Sequence, residues 1–388
     1  MFLFDNTEVA FKYKSSKDLS RSYFIFKYLL NGYISVIGRK IIKLFIRLKI
    51  PIKWFVKPLI FKQFCGGESI KKCEDIVQKL SKYNVKSILD YSVESKINKS
   101  EIALTFKETI KTIEECAKNE NIAFAVFKPS AFAPISCLEK VAEKKNSTET
   151  DIIFQEFRNY INELCNTASK LNVRILVDAE NFSFQSIVDS VVLEMMIKYN
   201  KEKVIVYNTL QMYRHDRVEY LNTLITKAKN ENFYLGIKLV RGAYMEKERE
   251  RASLFGYKSP ICTSKAETDN SFDLAVELCV KNVDIINLFC GTHNEESCLK
   301  LITLMKDFNI EANNEKIYFS QLYGMSDHIS FNLGKENYNV VKYIPYGPVN
   351  EVMPYLLRRA EENSSIKGQQ GRELQLLNKE ILRQKTLK

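Results

Sequence analysis

The chain changes rhythm near residue 85. From there, short β-branched or aromatic runs alternate with longer stretches whose apolar residues recur at helical spacing. The runs are 85–89, 122–127, 173–177, 204–207, 233–240, 283–289, 316–320 and 340–344. Helix-length segments separate most of them, among them 101–119, 151–171, 184–199, 217–230 and 295–308. Strands alternating with helices predict a parallel sheet. Eight such units over about 280 residues fit an α/β fold of the (β/α)8 TIM-like barrel class, whose usual size is roughly 250 residues. A doubly wound open sheet is the rival, but no G-x-G-x-x-G follows any run. Residues 129–150 and 246–270 read as longer loops or insertions. The connection after the seventh run is short, so its helix should be abbreviated.

The flanks differ. Residues 1–84 read as a mostly helical, amphipathic arm, 85–363 as the barrel and 364–388 as a polar, basic tail. The tail has one apolar stripe, Leu374, Leu376, Leu377, Ile381 and Leu382, expected to dock as a helix. Between barrel and tail, 343–362 reads as a strand end, a turn at Gly347-Pro348 and a helix. Asn350 is its expected N-cap, and Pro354 is tolerable only near that start. Tyr355, Arg358, Arg359 and Glu362 then share one helix face. Adjacent arginines beside an aromatic ring form a fork suited to a carboxylate. The plainer reading is a solvated basic helix end.

Charge sharpens the picture of the arm. The chain is ordinary for a globular protein, 45% hydrophobic and 27% charged, with net charge +11. Yet 19–67 holds ten Lys and Arg and no acidic residue, and the other 48 basic residues face 47 acidic ones. The basicity is local, and local basicity speaks of a partner or surface. The longest charge-free run near the front, 28–38, has 11 residues, too few to span a bilayer. It also makes a poor secretory signal, and 1–20 carries Asp5, Glu8 and Asp18, unlike a transit peptide. The arm either rests on an anionic membrane face or packs its apolar side on the barrel. No basic motif interleaved with aromatics marks nucleic-acid recognition. Nine cysteines without a CxxC pair, and only three histidines, argue against a disulfide framework or a metal site.

Chemistry in such a barrel sits at the C-terminal strand ends. Here these ends read Asp90-Tyr-Ser-Val-Glu94, Lys128-Pro-Ser, Asp178-Ala-Glu180-Asn, Asn208-Thr-Leu-Gln211, Arg241-Gly-Ala-Tyr244, Gly291-Thr-His293-Asn294, Gln321-Leu-Tyr-Gly and Tyr346-Gly-Pro. Lys238 and Tyr343 lie inside their strands. One polar residue after a strand means little. Eight polar ends at one mouth suggest a large polar ligand, and Gly242-Ala243 gives room for close backbone approach.

Lys238-Leu-Val-Arg-Gly-Ala-Tyr244, Gly291-Thr-His-Asn294 and the Tyr343, Tyr355, Arg358-Arg359, Glu362 constellation together resemble the proline dehydrogenase family, in its single-function form. The resemblance runs from about residue 60 to 388. It implies a distorted (β/α)8 barrel whose final helix covers the mouth, and FAD held without the dinucleotide fingerprint. It implies oxidation of L-proline to Δ1-pyrroline-5-carboxylate, with electrons passed to a membrane quinone and a pyrroline-5-carboxylate dehydrogenase downstream. The location implied is cytoplasmic, peripheral on the inner face of the membrane, or a mitochondrial interior.

The same resemblance assigns residues. Arg358 and Arg359 grip the substrate carboxylate with Lys128, while Tyr343 and Tyr355 shape the ring pocket. Asp178 and Lys238 are the catalytic pair, Lys238 beside the flavin. Ala179, Gln211, Arg241, Gly242 and Ala243 approach the flavin. Thr263, Lys265 and Thr268 form a Thr-x-Lys-x-x-Thr segment on the cofactor; Thr292, His293 and Asn294 hold its nucleotide portion, and Glu362 its ribityl or ribose side. Glu94 gates the closed site against Arg358. Two alternatives are distinct in kind. A methylenetetrahydrofolate reductase-like flavin barrel would be reduced by a nicotinamide, and a non-enzymatic basic membrane-surface adaptor would act through 19–67.

Overall fold

Asparagine repeatedly ends a helix and releases the chain into a strand. Asn84, Asn172, Asn232, Asn309 and Asn337 all have positive φ, from 53 to 62°. Asparagine tolerates this left-handed turn better than other residues with a Cβ, because its short side chain bonds locally. Helix starts are marked as clearly. Asn98 accepts from the Glu101 amide, Ser147 forms a reciprocal capping box with Thr150, and Ser264 accepts from the Glu267 amide.

These signals punctuate a computed structural model that describes residues 3–29, 60–92, 98–145, 147–356 and 367–387. In chain order the elements are α1 (Thr7–Phe11), α2 (Ser16–Phe24), α3 (Ile70–Ser81), β1 (Val85–Tyr91), α4 (Lys99–Lys118), β2 (Ile122–Phe127), α5 (Ile135–Ala142), α6 (Thr148–Lys170) and β3 (Ile175–Val177). There follow α7 (Phe182–Tyr199), β4 (Val206–Gln211), α8 (Arg217–Glu231), β5 (Leu235–Val240), α9 (Met245–Phe255), α10 (Lys265–Lys281), β6 (Ile286–Gly291), α11 (Glu295–Asp307), β7 (Ile317–Leu322), α12 (Asp327–Lys335), β8 (Val340–Tyr346) and α13 (Lys367–Thr386). The strands close into a barrel in sequence order, and β8 returns parallel to β1 with Ile88 opposite Tyr343.

Three expectations need correcting. Residues 129–150 and 246–270 are not plain loops, since they carry α5 and α9. Asn350 is no N-cap. Gly347 has φ 140°, the turn runs on to Val352, and helical residues begin only at Met353. Pro354 therefore sits in the first turn, where its missing N–H costs nothing. Leu382 is 54% exposed, so it does not join the docking stripe.

The chain divides into two compact units. The first holds Met1–Glu94, His293–Glu295 and Ser320–Lys388. Its apolar cluster gathers Leu19, Phe26, Phe64, Val352, Leu356 and Leu377, among others. Leu376 and Leu377 anchor α13, each contributing about 1.5–3 kcal/mol by burial. Beside this cluster the Asp327 carboxylate is fully buried. It accepts a 2.7 Å hydrogen bond from the Tyr13 hydroxyl and pairs with Lys14 and Lys342, each at 2.9 Å. The first unit also has a cavity of about 790 Å³, whose lining includes Lys14, Arg21, Lys62, Lys72 and Lys79.

The second unit holds Ser95–Thr292 and Glu296–Phe319. Phe124 of β2 meets Tyr207, Phe289 and Tyr318 edge-on, at centroid distances of 5.5, 5.1 and 4.9 Å. This aromatic plug fills the interior that the strands enclose. No helix among the described residues is long and apolar enough to cross a membrane.

Candidate active site

Within the second unit, β2, β3 and β5 each deliver one charged side chain. The Lys238 ammonium lies 2.6 Å from Asp178 Oδ1, and the Lys128 ammonium 3.7 Å from Oδ2. Asp178 is placed by the sheet itself, because its amide donates to the Phe127 carbonyl across β2. Lys238 is nearly buried and its ammonium stands 5.8 Å above the Phe289 ring. A lysine this dry needs a partner, and the carboxylate supplies it. Two cations on one carboxylate leave the group net positive, which suits an anionic ligand.

Next to Asp178, the buried Glu180 accepts from the Ser130 amide at 2.8 Å. Burial pushes its carboxyl up to about 7, more than that hydrogen bond pulls it down. The Glu180 amide donates to Gln185 Oε1 at 2.6 Å, Gln185 donates to Asp189, and Asp189 pairs with Arg217 at 2.6 Å. Asp189 also accepts from Asn208 of β4. This chain fixes the end of β3 and the middle of β4, and so the buried Gln211. Sequence reading missed it: Gln185 and Asp189 are one helical turn apart, but only the fold brings Asn208 and Arg217 to them.

The end of β5 is open. Gly242 has φ 125°, and a Cβ there would stand 2.6 Å from the Tyr213 ring. Only glycine fits, and Gly242 and Ala243 remain exposed just past the strand. Arg241 reaches three partners: Asp269 at 2.7 Å, the Thr292 hydroxyl at 2.9 Å and the Ser297 hydroxyl at 3.0 Å. Lys265 pairs with the same Asp269 at 2.5 Å. The structure thus brings Arg241, Lys265 and Thr292 together. Thr263 donates to Glu267 through its amide and hydroxyl, both at 2.7 Å, and the Thr268 hydroxyl donates to the Ser264 carbonyl. Ala179 is half-buried at the end of β3.

In the first unit, His293 Nε2 accepts from the Leu322 amide at 3.4 Å. The other ring nitrogen, Nδ1, therefore carries the proton and faces the Ser326 hydroxyl at 2.9 Å. Asn294 follows at the head of α11, half-buried. Tyr343 is nearly buried in β8, and Tyr355 is buried within the apolar cluster. Glu94, Arg358, Arg359 and Glu362 lie outside the described residues.

Residues 73–372 match the family model for proline dehydrogenase. The chain belongs to the proline dehydrogenase family. A mitochondrial proline dehydrogenase 1 of Dictyostelium discoideum is 32% identical over 97% of this chain and 74% of its own length. That of Drosophila melanogaster is 42% identical, over 58% of this chain and 35% of its own length. Among solved structures, a proline utilization A protein from Bdellovibrio bacteriovorus superposes with a TM-score of 0.71. The identity is 20%, over 94% of this chain and 37% of that one, and it supports the barrel fold alone. Proline oxidation is the family's chemistry, and membership implies a flavin cofactor. The residues fit such a group: Gly242 and Ala243 leave backbone exposed just past β5, beside hydroxyl and guanidinium donors.

Proposed function

We propose that the chain oxidises L-proline to Δ1-pyrroline-5-carboxylate with FAD as the flavin and a membrane quinone as final acceptor. The observation that carries this reading is the Asp178 carboxylate held between Lys128 and Lys238. Bound FAD would supply the hydride acceptor for the ring carbon next to the proline nitrogen. Every other task falls to the protein. Proline must be fixed by its carboxylate with its ring aligned, a matter of orientation and entropy. Lys128, Arg358 and Arg359 take the carboxylate, and Tyr343 and Tyr355 shape the ring pocket and exclude water. Asp178 holds the two ammonium groups in register. Lys238 stabilises negative charge as it develops nearby. The amine must be neutral before hydride leaves, and the iminium proton then passes to solvent.

Cofactor contacts follow the same assignment. Ala179, Gln211, Arg241, Gly242 and Ala243 serve the flavin end. Thr263, Lys265 and Thr268 lie at the start of α10, where backbone amides favour anions. Thr292, His293 and Asn294 serve the nucleotide end, Glu362 the ribityl or ribose side, and Glu94 is the gate. A pyrroline-5-carboxylate dehydrogenase would consume the product. The basic stretch 19–67 and the lysine-lined cavity of the first unit support contact with an anionic membrane surface.

Anaerobic titration with L-proline tests the reading. Purified protein should be yellow and its flavin absorbance should bleach stoichiometrically. A flavin-free protein that cannot be reconstituted, or a flavin reduced by nicotinamide and not by proline, overturns it.

A further inference from the structure

His215, Cys262 and Glu267 place three metal-binding atoms within 4.8 Å of one another, and nothing in the proline chemistry uses them as a set. They come from two segments that the backbone zips together. Arg214 and Ile261 form an antiparallel bridge, the Cys262 amide donates to the Tyr213 carbonyl at 2.7 Å, and the His215 amide donates to the Pro260 carbonyl at 3.1 Å. Glu267 is fixed in turn. Its amide is capped by Ser264, and its Oε2 accepts from the Thr263 amide and hydroxyl. The other oxygen, Oε1, lies 3.1 Å from His215 Nδ1. The set is built from below by buried Cys262 and open above through His215, whose side chain is 35% exposed.

The geometry points to a binding site for a zinc-class divalent ion at His215, Cys262 and Glu267. A thiolate, an imidazole and a carboxylate are the mixed S, N, O donors that zinc takes. Calcium and magnesium ask for oxygen alone. Charge balances as well, since thiolate and carboxylate together neutralise a dication. On binding, the Cys262 thiol releases one proton to solvent, and His215 moves its Nδ1 proton to Nε2 by exchange with solvent, which frees the Nδ1 lone pair as its contact to Glu267 opens. Three protein ligands leave the fourth tetrahedral position for water. The ion would tie the segment before α10 to the segment after β4. The Arg249 guanidinium donates to the Cys262 carbonyl at 3.1 Å and holds that end of the set.

Zinc uptake by the purified, flavin-loaded full chain tests this without reference to proline turnover. After chelator treatment and dialysis against dilute zinc chloride, elemental analysis should find one zinc per chain. X-ray absorption should show one sulfur at about 2.3 Å and nitrogen or oxygen at about 2.0 Å. Cys262→Ser and His215→Asn should each weaken uptake at least about tenfold. His215→Asn changes an exposed side chain, so it keeps the test decisive if Cys262→Ser folds poorly. Melting curves in chelator identify such a failure. No retained zinc, zinc without a sulfur neighbour, or equal uptake by both variants and the parent overturns the site. A protein that takes up zinc yet does not bleach with proline would leave this site standing and sink only the proposed function.

Discussion

Asp178 carries two ammonium groups from different strands, so its loss is felt at both. Replacing it by asparagine removes the charge while keeping the size. The expected result is a fall in kcat/KM for L-proline of about a hundredfold, the scale of a small misplacement of reacting groups. Flavin content should be unchanged. An unaltered kcat/KM with full flavin would remove Asp178 from the site. Its neighbour Glu180 makes a different prediction. Its folded carboxyl is raised from 4.5 to about 7. The raised value means that folding favours the protonated form. That contribution is fully present below pH 4.5 and is lost as pH rises through about 7. Glu180→Gln keeps the acceptor for the Ser130 amide and removes the titration. Urea unfolding at pH 5 and pH 8 should show that the variant gains about 1–3 kcal/mol over the parent at the higher pH only. Lys128, Asp178 and Lys238 were legible as polar residues at or near strand ends. Glu180, Gln185, Asp189 and Arg217 were not legible as a chain, because only the fold brings Arg217 to Asp189.

Elements were legible where burial imposes a period. The apolar runs of β1, β2 and β8 begin where the alternation predicts, since both faces of each strand are covered. α9 escaped notice for the converse reason. Its sequence Met-Glu-Lys-Glu-Arg-Glu-Arg is almost all charge, and only Glu248 and Ala252 are buried. α5 escaped because it is one short stretch of eight residues behind Pro134. The stripe on α13 was read correctly through Ile381 and overextended to Leu382. Leu377 is fully buried in the first unit's cluster. Leu377→Ala should therefore cost about 2–5 kcal/mol, and Leu382→Ala close to nothing. Equilibrium unfolding of the two variants side by side checks the assignment, and equal costs would contradict it.

At the scale of the molecule, the barrel was legible because eight alternations leave few topologies. The grouping into units was not, since no sequence rule says that the arm and α13 pack with β1 and β8. Charge is also a whole-molecule property, and nearly all of its excess sits in 19–67. Neutralising Arg39, Lys40, Lys43 and Arg47 together should weaken binding to anionic vesicles by about 1 kcal/mol per charge at moderate salt. Co-sedimentation measures this, and proline-driven flavin bleaching should be unaffected. Vesicle binding that ignores both salt and these substitutions would assign the arm to packing alone.

The Asp327 cluster has a consequence for how the polypeptide comes into being. Asp327 and Lys342 leave the ribosome more than three hundred residues after Tyr13 and Lys14. Until then the early lysine has no dry carboxylate to meet, and the apolar faces of α1 and α2 lack their late-made partners. The first unit therefore joins segments far apart along the chain. Nascent chains stalled before Asp327 should expose those faces and call on chaperones, while the segment from β2 to β6 can already have found its shape.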